Sequence, residues 1–326
     1  MADKLTMVQA INLALKQEME KDNRVLVLGE DVGKDGGVFR VTEGLFDRFG
    51  PQRVIDTPLS ESGIVGTAIG LAVYGLRPVA EIQFDGFIYP AFDQIISHAA
   101  RIRTRSRGRF TCPLVIRAPY SGGIHAPEHH SESMEAIYAH TPGLKVVIPS
   151  TPYDAKGLII ASIRDPDPVI FLEPKKVYRA IKQEVPEEEY VIPLEKANVV
   201  RQGNDVTLIS WGAMMKTTLE AADIIQKEGV STEVIDVRSL SPLDADTIIA
   251  SAKKTGRVVV AQEAPRTCGF ASEIAALINE KALLSLEAPV KRVTGFDTVM
   301  PLYKLENLYI PDVHRILKAV ESVVKF

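Results

Sequence analysis

Glu61 is the residue best placed for chemistry in this 326-residue chain. It stands in Thr57-Pro58-Leu59-Ser60-Glu61-Ser62-Gly63-Ile64-Val65-Gly66, among apolar and glycine residues, at the first turn of a helix expected over 61–75. That helix carries Gly63, Gly66, Ala68, Gly70, Ala72 and Gly75, so its backbone can approach a partner surface closely. Burial disfavours a charged carboxylate, and the partial positive charge of a helix N-terminus favours it. A carboxyl group between those two influences is suited to giving and taking a proton. The plainer alternative is a helix capped by Ser60, with Glu61 an ordinary first-turn acid.

A second cluster is the loop 119–131, where His125, His129 and His130, three of the six histidines, fall within six residues. Metal ligation, acid–base work by one histidine, and a polar surface loop are all open. Gln83 and Phe87 stand where a strand gives way to a helix, and Phe87 is a stacking platform for a flat heterocycle or a core ring. The glycines after Glu61 lie inside a helix and match neither GxGxxG nor a P-loop, so no phosphate cradle is read there. The segment 263–270 opens a helix, which makes it an anion site or, preferably, an interface turn, with Cys268 a structural thiol.

The elements that must position these residues alternate strand and helix almost throughout. Short β-branched runs at 25–28, 78–82, 113–116, 145–148 and 168–172 read as buried parallel strands. Helices are expected at 6–20, 61–75, 87–105 and 152–164. After a Lys-, Glu- and Pro-rich stretch the alternation resumes from 205, with strands near 205–210, 232–237, 257–262 and 289–293 and helices between and after them. The fold class is α/β, with two doubly wound domains. We place the first at 1–180, a linker at 181–204 and the second at 205–326. Parallel sheets bind ligands beyond the carboxyl ends of their strands, which is where Glu30, Glu61, Gln83 and the histidine loop fall.

Composition excludes several classes. A net charge of −4 without a basic stripe argues against nucleic acid. Two distant cysteines, Cys112 and Cys268, argue against a disulfide framework and for a reducing compartment. No apolar run is long enough for a membrane span, and no signal-peptide core precedes residue 7, so the expected location is cytoplasmic.

Several blocks, in order along nearly the whole chain, resemble the β subunit of the thiamin-diphosphate-dependent decarboxylating (first) component of 2-oxo acid dehydrogenase complexes, a transketolase-like family. They are Val27-Leu28-Gly29-Glu30-Asp31-Val32-Gly33, Gly36-Gly37-Val38-Phe39, Asp56-Thr57-Pro58-Leu59-Ser60-Glu61, Glu81-Ile82-Gln83-Phe84 and His130-Ser131, followed by 149–158, 171–175 and 286–289. The resemblance implies a transketolase-like pyrimidine-binding domain followed by a C-terminal transketolase-like domain. It implies an oxidoreductase acting on the oxo group of a small 2-oxo acid with a disulfide acceptor, the lipoyl group of the core dihydrolipoamide acyltransferase.

On that resemblance Glu61 shares a proton with the cofactor's aminopyrimidine ring, so that the thiazolium carbon loses its proton and attacks the 2-oxo carbon, releasing carbon dioxide. Leu59, Gln83 and Phe87 match positions around the cofactor rings, Phe87 standing where tyrosine is frequent. His130 matches a histidine that assists acyl transfer, with His125 a weaker candidate nearby. Backbone oxygens of Cys112, Leu114, Ser162, Asp165 and Asp167 resemble a potassium site. The Gly-Asp-Gly segment that holds magnesium and diphosphate in the family does not occur here. A separate α subunit should supply that half, in an α2β2 heterotetramer. Blocks 171–175 and 263–270 lean to branched-chain 2-oxo acids, with pyruvate the alternative; a non-catalytic scaffold subunit is the alternative of another class.

Overall fold

The computed structural model describes residues 3–326, which divide into two compact units. The first comprises 3–120 and Ile137–Leu194; the second comprises Ser121–Ala136 and Glu195–Phe326. A stretch of sixteen residues carrying the histidine loop thus belongs to the second unit, although the chain passes through it while building the first.

In the first unit the β-branched runs form buried parallel strands: β1 (Val25–Gly29), β2 (Val54–Asp56), β3 (Arg77–Glu81), β4 (Val115–Tyr120), β5 (Lys145–Val147) and β6 (Val169–Pro174). Their order is β5-β6-β4-β3-β1-β2. The three-residue β2 was not expected from the sequence. It lies on one side of β1 and β3 lies on the other. The winding therefore reverses at β1, and the crevice at such a reversal is where open α/β sheets take ligands.

The longer helices hold this sheet. In α1 (Met7–Lys21) the Thr6 hydroxyl accepts from the Gln9 amide while the Gln9 side chain accepts from the Thr6 amide, a reciprocal cap worth about 1 kcal/mol. After α2 (Glu61–Val73), α3 (Pro152–Arg164) starts on a Thr151 cap. It is tied to α1 by Arg164, which grips both Glu18 oxygens at 2.9 and 2.5 Å. The helix expected over 87–105 is instead a series of tight 3₁₀ turns (Asp85–Ala91), a wide π turn (Asp93–His98) and one α turn (Ile102–Arg105). Pro90 lacks an amide and crowds the preceding turn, so a regular ladder cannot run through it.

Residues 181–204, read from composition as a linker, carry structure at both ends. Gln183–Val185 pairs antiparallel with Asp3–Leu5. The acidic run is fixed to α3, where Lys156 Nζ donates to the carbonyls of Pro186, Glu187 and Glu188 at 2.5, 3.1 and 3.0 Å. Asn198–Arg201 becomes β7, the antiparallel edge of the second sheet.

That sheet runs β11-β10-β8-β9-β7, with β8 (Val206–Ser210), β9 (Thr232–Asp236), β10 (Val258–Ala261) and β11 (Lys291–Val293) parallel. Helices α4 (Met214–Lys227), α5 (Ala245–Thr255), α6 (Phe270–Ala282) and α7 (Val313–Val324) accompany it, close to the expected positions. Val206, Leu208, Val234 and Val259 of the strands pack in one core with Ala221, Ile225, Ile316 and Val320. Among the described residues no helix is long and apolar enough to cross a membrane.

Candidate active site

The carboxyl ends of β1, β2 and β3 bring together Glu30, Glu61 and Gln83. Close approach of β1 to β3 depends on Gly29: a Cβ there would lie 2.6 Å from the Glu81 carbonyl oxygen. Glu30, the next residue, is buried. Burial pushes its carboxyl group up, and the charges of Glu61 and Asp31 push it further. Two carboxyl groups thus stand within electrostatic reach of each other at the switch point, and Glu30 is held toward its protonated form, mainly by burial.

Glu61 opens α2 and is 8% exposed. Among the described residues no side chain hydrogen-bonds its carboxylate. Ser60 does not cap the helix, since its side chain accepts no amide there, so the simple capping alternative does not hold. Ser62 turns aside to donate to the Pro90 carbonyl at 2.5 Å. Leu59, two residues before Glu61, is 75% exposed. Glu61 is thus a buried acid at a helix start, preceded by an exposed aliphatic residue.

Gln83 donates to Asp31 at 3.0 Å, tying the end of β3 to the loop after β1. Phe87 is half-buried and meets Phe84 edge-on, at 5.9 Å between ring centres. Phe84 meets Phe39, which meets Tyr178, so an aromatic row runs beside the loop. The Lys175 ammonium lies 5.9 Å from the Phe84 ring centre and 3.8 Å from Asp85.

Beneath this surface lies a buried ionic network that the sequence reading did not anticipate. Arg117, 1% exposed, donates to both oxygens of Glu173 at 2.6 and 2.9 Å and to Glu81. Tyr178 donates to Glu173 at 2.5 Å. Burial lowers the affinity of Arg117 for its proton, but Glu173 and Glu81 outweigh it and the guanidinium stays charged. Burial raises the Glu81 carboxyl group, against the pull of Arg117. The network anchors β3, β4 and β6 just below the residues that follow them.

His130 and His125 fall in the segment that belongs to the second unit. There His130 lies beside His129, ring centres 5.4 Å apart, and His125 Nδ1 lies 2.8 Å from the Tyr303 carbonyl. The acid Glu306, fully buried, accepts from the Gly123 and His125 amides and from the Ser131 hydroxyl. Glu263 accepts from the Gly122 amide at 3.1 Å. Farther along, Glu135 accepts from the Trp211 indole at 3.3 Å, and burial pushes its carboxyl up to about 7.

The residues of the potassium set lie at the other end of the first sheet, before β4 and β6. The Cys112, Leu114 and Ser162 carbonyls each accept one backbone amide, at 2.8, 2.9 and 3.3 Å, and keep a second lone pair. The Asp165 carbonyl receives the Arg77 guanidinium at 3.3 Å. Asp165 and Asp167 add carboxylates, which Lys145 and Arg103 partly neutralise. In the second unit Gln262 accepts from the Ala271 amide in the first turn of α6, at 2.7 Å. Cys268, read as a structural thiol, is exposed.

Comparison with known proteins gives the family and the fold. Residues 3–181 match the family described as the transketolase pyrimidine-binding domain, and residues 195–316 match the transketolase C-terminal domain. The chain is 55% identical over 322 residues to a Bacillus subtilis protein named pyruvate dehydrogenase E1 component subunit beta, covering 99% of both chains. It is 52% identical over 321 residues to the protein of that name from Acholeplasma laidlawii, covering 98% of both. Among solved structures, a split-gene transketolase described as an inactive β4 tetramer superposes with a TM-score of 0.81 over 99% of each chain, at 23% identity.

Proposed function

The chain belongs to the transketolase-like family as a β subunit of the first component of 2-oxo acid dehydrogenases, which depend on thiamin diphosphate, and we propose that its substrate is pyruvate. The relatives at 52% and 55% identity carry the pyruvate name, and this supports pyruvate over the branched-chain 2-oxo acids toward which two sequence blocks lean. The observation that carries the catalytic reading is the buried Glu61, without a hydrogen-bonding side chain, at the switch-point end of the first sheet.

Bound thiamin diphosphate supplies a carbanion-forming carbon and an electron sink for decarboxylation. Glu61 would hold a proton against the pyrimidine ring nitrogen, and its desolvated position makes that hydrogen bond strong. The neighbouring Glu30, held toward its neutral form, limits the negative charge beside it. Leu59 and Phe87 would supply apolar contact to the cofactor rings and exclude water, while Gln83, tied to Asp31, fixes the loop that carries Phe87. Magnesium and diphosphate would be held by an α chain, because no Gly-Asp-Gly segment occurs here. Potassium would use the remaining carbonyl lone pairs before β4 and β6, which a potassium-specific rise in melting temperature, absent with sodium, would check.

The assembly we propose is an α2β2 heterotetramer in the cytoplasm. It would pass the acyl group to the lipoyl arm of a core acyltransferase with the help of His130. The test is Glu61→Gln, co-expressed with the α chain. Pyruvate decarboxylation should fall about 10²–10⁴-fold, the usual span for a positioned proton-transfer group, while native mass stays that of the heterotetramer. An unchanged rate with intact assembly would remove Glu61 from the mechanism and favour a scaffold subunit.

A further inference from the structure

We infer that Glu306 is the positioning residue of the histidine loop: a buried carboxylate that holds the loop backbone before His130 and the Ser131 hydroxyl after it, and so sets that ring for acyl transfer. The inference rests on the reading of His130 given above. It comes from a set of contacts wholly within the second unit.

The loop that bears His130 has an unfavourable backbone. Ser121 and His125 adopt positive φ angles of 67° and 56°, and Gly123 one of 97°. Residues other than glycine rarely take this left-handed conformation and persist in it only where their surroundings enforce it. The enforcing groups are acids remote in sequence. One oxygen of Glu306 accepts from the amides of Gly123 and His125, at 3.3 Å for the latter. The other accepts from the hydroxyl of Ser131, the residue after His130, at 3.1 Å. Glu263 adds the Gly122 amide, and the Tyr303 carbonyl lies against the His125 ring. Packing closes the same point: a Cβ on Gly122 would lie 2.7 Å from Ile310 and 2.9 Å from Met300. His130 is thus carried between residues that a single buried carboxylate holds.

A carboxylate that merely stabilised the second unit would, on removal, weaken every step alike. One that positions His130 should act on the step His130 serves. A small misplacement of a reacting group costs on the order of 10²-fold. The experiment uses the assembled complex carrying Glu306→Ala, Glu306→Gln, Ser131→Ala or His130→Ala. Two rates are read: decarboxylation of pyruvate with an artificial electron acceptor, and acylation of a lipoyl domain. Hydrogen exchange over 121–131 is followed in parallel, because the Gly123 and His125 amides report on Glu306 directly.

Glu306→Ala should slow lipoyl acylation about 10²-fold, change decarboxylation less than about threefold, and speed exchange in the loop. Glu306→Gln, which keeps one good acceptor oxygen for the amides, should recover most of the acylation rate. If the alanine variant does not assemble, the glutamine and Ser131→Ala variants carry the same comparison. Acylation and exchange both unchanged in the Glu306 variants, with His130→Ala impaired, would overturn the inference and leave the role of His130 standing. So would equal losses in both rates. Full acylation by His130→Ala would overturn the reading of that histidine, and the inference with it.

Discussion

Glu135 offers a prediction whose size follows from burial. Its carboxyl group is 1% exposed, accepts one hydrogen bond from Trp211, and titrates at about 7 against an ordinary value of 4.5. Burial is the main cause, and the Glu263 charge adds to it. The folded chain therefore holds a proton here that the unfolded chain has already released. Stability from this group is fully present below about 4.5 and is lost as pH rises through about 7. The whole interval is worth about 3 kcal/mol, of which about 2 kcal/mol is lost between pH 5.5 and 8.5. Glu135→Gln keeps an acceptor for the indole and removes the titration. Relative to the native chain, the variant should gain about 2 kcal/mol over that pH range, or about 4–8 °C in melting temperature for a unit of this size. Scanning calorimetry of the assembled protein at the two pH values gives the comparison. A difference between variant and native chain that stays flat with pH would refute the argument, because it would mean that Glu135 is not protonated in the folded state near neutrality.

Two further outcomes follow from the first unit. Arg117→Met leaves Glu81 and Glu173 buried without their shared cation, which should cost about 3–5 kcal/mol, and adding Glu81→Gln and Glu173→Gln should restore much of it; a melting temperature unchanged by Arg117→Met would show that the network contributes little. Leu59→Ala should leave stability within about 0.5 kcal/mol because the side chain is exposed, yet weaken cofactor binding by roughly tenfold or more through lost apolar contact, and calorimetric titration with thiamin diphosphate would reject the assigned contact if affinity held.

What the sequence disclosed, and what it hid, divides along physical lines. Buried parallel strands announce themselves as β-branched runs, and β1, β3, β4, β5 and β6 were legible that way. The short β2 and the edge strand β7 bury little and leave no such run. The sequence pattern read 87–105 as one helix, although Pro90 falls inside it. Glu61 stood out because a charge among apolar and glycine residues at a helix start is unusual. Glu30 was placed at a strand end by the sequence, but its raised carboxyl group was not, since that depends on burial and on Glu61, thirty-one positions away. The partners of Arg117 are 36 and 56 residues distant, and those of Glu306 are 175 to 183 residues distant. Side-chain pairing over such separations imposes no period on the local sequence.

The pattern of exposure bears on why this chain should not act alone. Leu59 and Tyr74 project at the two ends of α2, and nothing lies within 4 Å of where a Cβ on Gly70 would be. In the second unit Val299, Leu302, Leu305 and Leu308 are exposed within ten residues. Soluble chains rarely leave such runs uncovered unless another surface meets them. The first of these surfaces begins at Leu59, two residues before Glu61, so the partner chain proposed above would meet the chain next to that acid.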